Sequence, residues 1–318
     1  MNRPLFVLFV LKEVFNKILN MNNKSVLVYT TNDFISNKKE SGWVMIAQSK
    51  KSNFYKISFI ITKILEDMKK YREYIKYAVK SELKAQLSST HLGYLWWLLD
   101  PLMYMLVYIL VVSVILNKGK ENFPIFVFCA VLSWKWTSSS LLDSTKVIKS
   151  RARLLQQIYL PKFILVFIKV LTNTIKFLVG ICVLLVLIVL FGIQLTPHII
   201  EFFFVFSVNF TLVLGLSCFL AHLGVYFKDI SNVMAFSLRL WFYVSPAIYS
   251  VSDVPKNIRW IWQLNPMSAI YAGYRDVFLY GRSPTYSVLF IWLMISLSIT
   301  FLGAGCLSKY DKKYIKVV

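Results

Sequence analysis

Six long apolar segments, residues 95–116, 124–142, 163–191, 201–226, 231–250 and 286–307, fill most of the last two thirds of the chain. Each is long enough for a helix that crosses a bilayer, which takes about 20 residues. Ahead of them Ile61, Ile64, Met68, Tyr71, Ile75, Ala78 and Leu83 recur every three or four positions. Lys63, Lys69, Lys70, Lys76, Lys80 and Lys84 lie mostly off that stripe. This pattern predicts a basic amphipathic helix over 59–90, lying on a membrane face. Two connections are longer than the rest. The stretch 143–161 is basic and long enough for a short helix. The stretch 251–285 is only half polar and carries Trp260, Trp262, Tyr271, Tyr274 and Phe278. Such amphipathic content predicts re-entrant helices, with aromatic rings at headgroup depth.

Residues 1–58 form an extension of a different character. Leu5 to Leu11 is apolar but too short to span, and Val7, Leu11, Val14 and Ile18 fall at helical spacing, as in a helix lying in the interface. Residues 21–58 are rich in Asn, Ser and Lys, and two short β-like runs, 25–30 and 43–48, leave a hairpin and an unstructured arm both open. The fold class expected is therefore an all-α polytopic membrane protein of about six transmembrane helices. The domain order is the extension 1–58, the interface helix 59–90, the membrane domain 91–307 and a basic tail 308–318.

Composition agrees. The 318 residues are 57% hydrophobic, against about 45–50% in ordinary soluble domains. The net charge of +21 could indicate nucleic-acid binding, but its distribution argues against that. Of 36 Lys and Arg, 16 lie in residues 1–90, four in 143–161 and four in 308–318. The opposite loops hold six: Lys118, Lys120, Lys256, Arg259, Arg275 and Arg282. The positive-inside rule then places both termini in the cytoplasm, with the chain in the cytoplasmic membrane.

Function classes narrow from the acidic residues. Asp100, Asp143, Glu201 and Asp229 fall near segment ends, so no carboxylate stands within a span as ion-driven carriers usually require. Energy for transport would come from another molecule. The chain has no Gly-x-x-x-x-Gly-Lys-[Ser/Thr] phosphate loop and no Ser/His/Asp set. Cys129, Cys182, Cys218 and Cys306 sit in apolar segments, and His91, His198 and His222 are scattered, so no metal or other cofactor is expected. A membrane-embedded glycan-processing enzyme would need convergent carboxylates. Asp100, Asp143 and Asp229 are far apart in sequence, and that alternative stays open.

Two residue sets are candidates for contact with a cargo. Lys135, Lys176 and Arg239 fall inside spans two, three and five, where a buried cation costs roughly 2.5–3.5 kcal/mol. With no acid inside the spans to offset them, they are expected to face a path and meet anionic groups. Snorkelling is the competing explanation, sufficient for Lys162 and Lys169. Aromatic residues form the second set. Trp97, Tyr104 and Tyr108 share one face of span one, and Trp241, Tyr243 and Tyr249 belong to span five. Aromatic faces stack on the C–H faces of sugars, and they also anchor helices at lipid interfaces.

Five motifs, in order, carry a resemblance. They are Leu92-Gly93-Tyr94-Leu95-Trp96-Trp97-Leu98-Leu99-Asp100-Pro101-Leu102, Arg153-Leu154-Leu155-Gln156-Gln157-Ile158-Tyr159-Leu160-Pro161-Lys162, Phe227-Lys228-Asp229-Ile230, Ser245-Pro246-Ala247-Ile248-Tyr249, and Asn265-Pro266-Met267 with Tyr274-Arg275-Asp276-Val277-Phe278-Leu279-Tyr280-Gly281. Across residues 70–307 these resemble the membrane subunits of ATP-binding-cassette exporters of cell-surface polysaccharides such as O-antigen, capsule and teichoic acid. The run Lys80-Ser81-Glu82-Leu83-Lys84-Ala85-Gln86 departs from the Arg-Asp-Ile-Lys-x-Arg-Tyr-like run of that family. The resemblance implies a homodimer paired with two separate ATPase subunits, which would hold the ATP and Mg. It implies a lipid-linked glycan as substrate, or a drug or other lipid in a related permease. It also implies that 143–161 docks into the ATPase, with Arg151, Arg153, Leu154 and Gln157 as contacts, and that spans one and five line the channel. Without such a partner, 143–161 is a basic loop that sets topology.

Overall fold

The computed structural model describes residues 62–88, 91–93, 95–115 and 122–317, and every regular element among them is helical. The chain divides into two units, Met1–Phe54 and Tyr55–Val318. The interface helix and the hairpin or arm expected in residues 1–58 lie outside the described residues.

Residues 62–70 are helical and pass through a turn at Tyr71 into α1, Arg72–Ser88. The apolar stripe read from the sequence is the face that is used: Ile75, Ala78 and Val79 are buried in one cluster with Ile164, Leu165 and Ile168. α2, Leu95–Ile109, runs on through the π-helical turn Leu110–Ile115. Pro101 inside α2 has no N–H for the Trp97 carbonyl, which loosens the helix there. α3 is Phe123–Ser144. A 3-10 turn, Lys149–Arg151, then leads into the short α4, Ala152–Gln157. α5 is Lys162–Leu190, and a 3-10 turn at Pro197–Glu201 starts α6, Phe202–Tyr226. α7 is Ile230–Val244, α8 Trp260–Gln263, α9 Pro266–Phe278 and α10 Tyr286–Val317.

Among the described residues five helices, not six, are long and apolar enough to span: Leu95–Ile115, Phe123–Ser144, Lys162–Leu190, Pro197–Tyr226 and Tyr286–Asp311. The segment expected at 231–250 is helical only over the 15 residues of α7. That is about 22 Å at 1.5 Å per residue, short of a hydrocarbon core of about 30 Å. The reason is Pro246. It cannot donate to the helix, and it pushes Ser245 out of helical geometry, to φ −83 and ψ 143. The rest of the segment, residues 245–250, consists of turns and bends.

Contacts between elements give the bundle two ends. At one end α1, α4 and the beginning of α5 meet the last turns of α10, where Asp311 pairs with Lys162 at 3.3 Å. The Thr145 and Ser231 hydroxyls, 2.7 Å apart, join the end of α3 to the start of α7. At the other end α9 packs on α3 and α6. α3 is the central helix, with 72% of its most apolar 18 residues buried. Its polar residues are absorbed by α6: Asn209 donates to Ser133 Oγ at 2.8 Å and accepts from Thr137 Oγ1 at 3.3 Å. α6 and α10 approach closely because small residues face each other. A Cβ added to Gly215 would lie 2.8 Å from the Thr300 backbone nitrogen, and one added to Gly303 would lie 2.8 Å from the Cys218 Cβ. Small-residue contacts of this kind hold membrane helices together where no hydrophobic drive operates between them.

Candidate functional site

The charged and aromatic residues singled out above fall into three places. The first is a cavity of about 280 Å³ between α1, α2, α3 and α5. Gln86, Trp96, Trp97, Asp100, Lys135, Ser139, Asn173 and Lys176 supply its polar and aromatic lining. Asp100 corrects an expectation: its Oδ2 sits 2.6 Å from Lys135 Nζ, so one cation does have an acid partner. Asp100 lies one turn into α2 and Lys135 in the second half of the antiparallel α3, so packing brings together residues 35 positions apart. Lys135 Nζ also lies 4.9 Å from the Tyr104 ring centroid. Lys176 Nζ donates to Asn173 Oδ1 at 3.1 Å, and the Asn173 amide donates in turn to Asp143 Oδ2 at 3.0 Å.

The three basic candidates are therefore divided. Lys135 and Lys176 share the cavity, whereas Arg239 is exposed on α7 and has no hydrogen bond or ion pair among the described residues. Snorkelling does not account for the other two lysines. The Lys162 side chain is 0% exposed and pairs with Asp311. Lys169 Nζ pairs with Glu82 at 3.0 Å.

The aromatic set divides as well. Trp97 lines the cavity, while Tyr104 is exposed on α2 beside Lys135. Tyr108 packs on Phe242 of α7 at 5.6 Å between centroids. Trp241 packs edge-on against Trp134 and donates from Nε1 to Asn265 Oδ1 at 3.1 Å. Tyr243 projects from α7, 62% exposed. Tyr249 is a helix cap: its hydroxyl donates to the Val244 carbonyl at 2.9 Å and accepts from Trp262 Nε1 at 2.7 Å.

The second place is the segment before α5. Arg153 and Gln157 are exposed, Leu154 is half-buried, and Lys149–Leu154 wrap an open concavity of about 480 Å³. Arg151 lines the concavity too, but its guanidinium is engaged by α1. Its guanidinium pairs with Glu82 of α1 and donates to the Tyr74 hydroxyl at 3.3 Å. Glu82 thus holds Arg151 and Lys169 together, with Thr172 Oγ1 at 3.4 Å, and ties α1 to the turn that enters α4 and to α5. Glu82 lies in the run that departs from the family pattern, and its carboxylate is satisfied inside this chain.

The third place is the break after α7. In an apolar surround every main-chain polar group needs an internal partner, and non-helical backbone survives only when buried in protein. Ser245 Oγ donates to the Trp241 carbonyl at 2.7 Å. Arg275 of α9 does the rest. Its guanidinium donates to the carbonyls of Pro246 at 2.8 Å, Ala247 at 2.6 Å and Phe126 at 3.0 Å, and stands 3.4 Å from the Phe126 ring centroid. Asn265 caps α9 by accepting from the Met267 N–H at 3.1 Å and donates to Ser245 Oγ at 2.8 Å. Arg275 counts as an external loop charge in the sequence. The signal that could have exposed its role is its place among Tyr271, Tyr274 and Phe278, an apolar face that buries whatever lies within it. Beyond it Asp276 pairs with Arg282 at 2.7 Å, and burial raises the Asp276 carboxyl above its ordinary value while Arg282 opposes the shift.

A bundle of five membrane-length helices, a short broken sixth and a buried helix at one end defines a polytopic α-helical membrane protein. The model of the ABC-2 type transporter family matches residues 73–279, from α1 through α9. The chain belongs to that family, in line with the order of motifs along it. It is similar to the O-antigen export system permease protein RfbA of Myxococcus xanthus, 30% identical over 258 residues, which is 80% of this chain and 99% of that protein. Two proteins of the same name from Klebsiella pneumoniae are 24% and 22% identical over 242 residues, each match covering 74% of this chain and 92% of theirs.

Proposed function

We propose that this chain is the permease subunit of an ABC exporter that carries a lipid-linked polysaccharide of O-antigen type across the cytoplasmic membrane. It works as a homodimer with two copies of a separate ATP-binding subunit, which holds the ATP and Mg, and both termini are cytoplasmic. It is a transport subunit and does no covalent chemistry. The observation that carries this reading is the match to an O-antigen export permease over 99% of that protein's length. The geometry supports it in two ways. Arg153, Leu154 and Gln157 offer a docking surface, while Arg151 fixes that segment to α1 through Glu82. Movement of the segment would therefore drag α1 and α5 with it. On α2 and α7 the exposed Tyr104, Tyr243 and Arg239 are free to line a path completed by the second copy.

The test is a mild-detergent purification of the tagged chain, with partner identification and an ATPase assay. The expected result is a stoichiometric nucleotide-binding subunit whose ATPase activity drops when Arg153 or Leu154 is replaced by Ala. A homogeneous chain without such a subunit in several mild detergents would overturn the proposal.

A further inference from the structure

We infer that the cavity between α1, α2, α3 and α5 is a binding site for a sugar ring that carries an anionic group, and that Lys176 selects the anion. The inference rests on the glycan-exporter reading and adds a location and a charge requirement to it.

The argument starts from charge. The cavity lining contains two ammonium groups, Lys135 and Lys176, and one carboxylate, Asp100. Asp100 is taken by Lys135 at 2.6 Å. Lys176 has one polar partner among the described residues, the neutral Asn173 Oδ1. The Asn173 amide stands between Lys176 and Asp143, which does not line the cavity. An ammonium has three donors, so two remain to Lys176 for a ligand. Asp143 acts on Lys176 only across the Asn173 amide, so no carboxylate among the described residues touches the two remaining ammonium donors, and an anionic group is their natural complement.

The rest of the lining is what a sugar requires. Trp96 and Trp97 supply ring faces, and Gln86, Ser139 and Asn173 supply amides and a hydroxyl. Flat aromatic faces take the apolar side of a sugar ring, while mixed donors and acceptors take its hydroxyls. The volume is close to the lower end for small-molecule sites, about 300 Å³, which matches one ring with a substituent rather than an oligosaccharide. Access exists: Trp96 is 47% exposed, and the Lys135 and Asp100 side chains are 38% and 41% exposed. The anionic group has two possible sources, the phosphate that joins the first sugar to its lipid carrier or the carboxylate of an acidic sugar in the polymer. Both place one anion on one ring.

The full-length chain purified in detergent is tested by ligand-observed saturation-transfer NMR with hexose 1-phosphate, hexuronate, neutral hexose and inorganic phosphate. An anionic sugar is expected to bind, and Lys176→Gln to weaken it by about tenfold or more, the size of a lost hydrogen bond to a charged group. Lys176→Arg should retain binding. Ser139→Leu, which fills the cavity from α3 without touching a charge, should abolish it and guards against a misfolded Gln variant. Binding of hexose 1-phosphate alone points to the carrier phosphate, and binding of hexuronate to an acidic sugar. Neutral hexose binding as well as either anionic sugar, inorganic phosphate competing fully at equal concentration, or no effect of Lys176→Gln and Ser139→Leu would each overturn the inference. Glycan export in cells depleted of the native chain separates the two readings. If the wild-type chain restores export and NMR shows no anionic-sugar binding, only the cavity inference fails. If it does not restore export, the exporter reading fails and the binding data still decide the cavity.

Discussion

α2 and α3 are neighbours of similar length, and they meet opposite surroundings. Over the most apolar 18 residues of each, the span Leu95–Ile115 is 11% buried, whereas Phe123–Ser144 is 72% buried. The more apolar helix is the outer one. α3 carries Ser133, Thr137, Ser140 and Ser144, all fully buried, and Lys135 near its centre. α2 presents Met103, Leu106, Val107, Leu110, Val114 and Ile115 outward. In water the more apolar surface would turn inward. In a bilayer the lipid is as apolar as any core, so a helix with hydroxyls gains by turning them to another helix. Burial here follows the availability of partners for polar groups rather than hydrophobicity.

Four substitutions test that contrast, in order of expected effect. Arg275→Leu should be the most damaging. It leaves the carbonyls of Phe126, Pro246 and Ala247 without their donor, and buried unsatisfied groups cost about 1–3 kcal/mol each. The thermal midpoint of the detergent-purified chain should fall steeply, and a near-normal midpoint would mean that other groups hold the break after α7. Gly224→Val comes next. A Cβ there would lie 1.9 Å from the Thr145 carbonyl oxygen, and the backbone shift it forces should cost about 1–3 kcal/mol in the same assay.

Asn209→Leu removes the bonds to Ser133 and Thr137 that let α3 be polar and buried. Hydrogen bonds between membrane helices average about 0.6 kcal/mol and reach about 1.7, so a loss near 1 kcal/mol is expected. No loss would show that packing alone positions α3. Val114→Ala on α2 should be the mildest, within about 0.5 kcal/mol, because Val114 is 72% exposed in the single chain. A larger drop that coincides with a change in oligomeric state would show that a second copy covers this face.

Much of the architecture is legible in the amino-acid sequence. The spacing of apolar residues marks the starts of α2, α3, α5, α6 and α10 to within a few positions, although α10 runs ten residues past the expected 307, and the stripe on α1 names Ile75 and Ala78 as its inner face. Hydropathy overstates the length of α7, because it continues through Ile248 while helical geometry ends at Ser245-Pro246. The cavity is half visible in the same way. Lys135, Lys176 and Trp97 stand out as cations or aromatics inside spans, and Asn173 falls near the face of Lys176, but Asp100 and Gln86 give no signal by themselves. Asp100 sits near a helix start, where an acid is unremarkable, and only the antiparallel packing of α2 on α3 brings it to Lys135.

Composition and periodicity alone established a membrane protein, the positions of its helices and the asymmetry of its basic residues. Each of these follows from local transfer free energy and from the 3.6-residue repeat, which need no knowledge of neighbours. The pairing of charges was settled by the fold: Asp100 with Lys135, Glu82 with Arg151 and Lys169, Asp311 with Lys162, and Arg275 with three carbonyls. Those partners lie between 28 and 149 positions apart. Which of them meet depends on how helices register against one another, and no local repeat in a chain encodes that register.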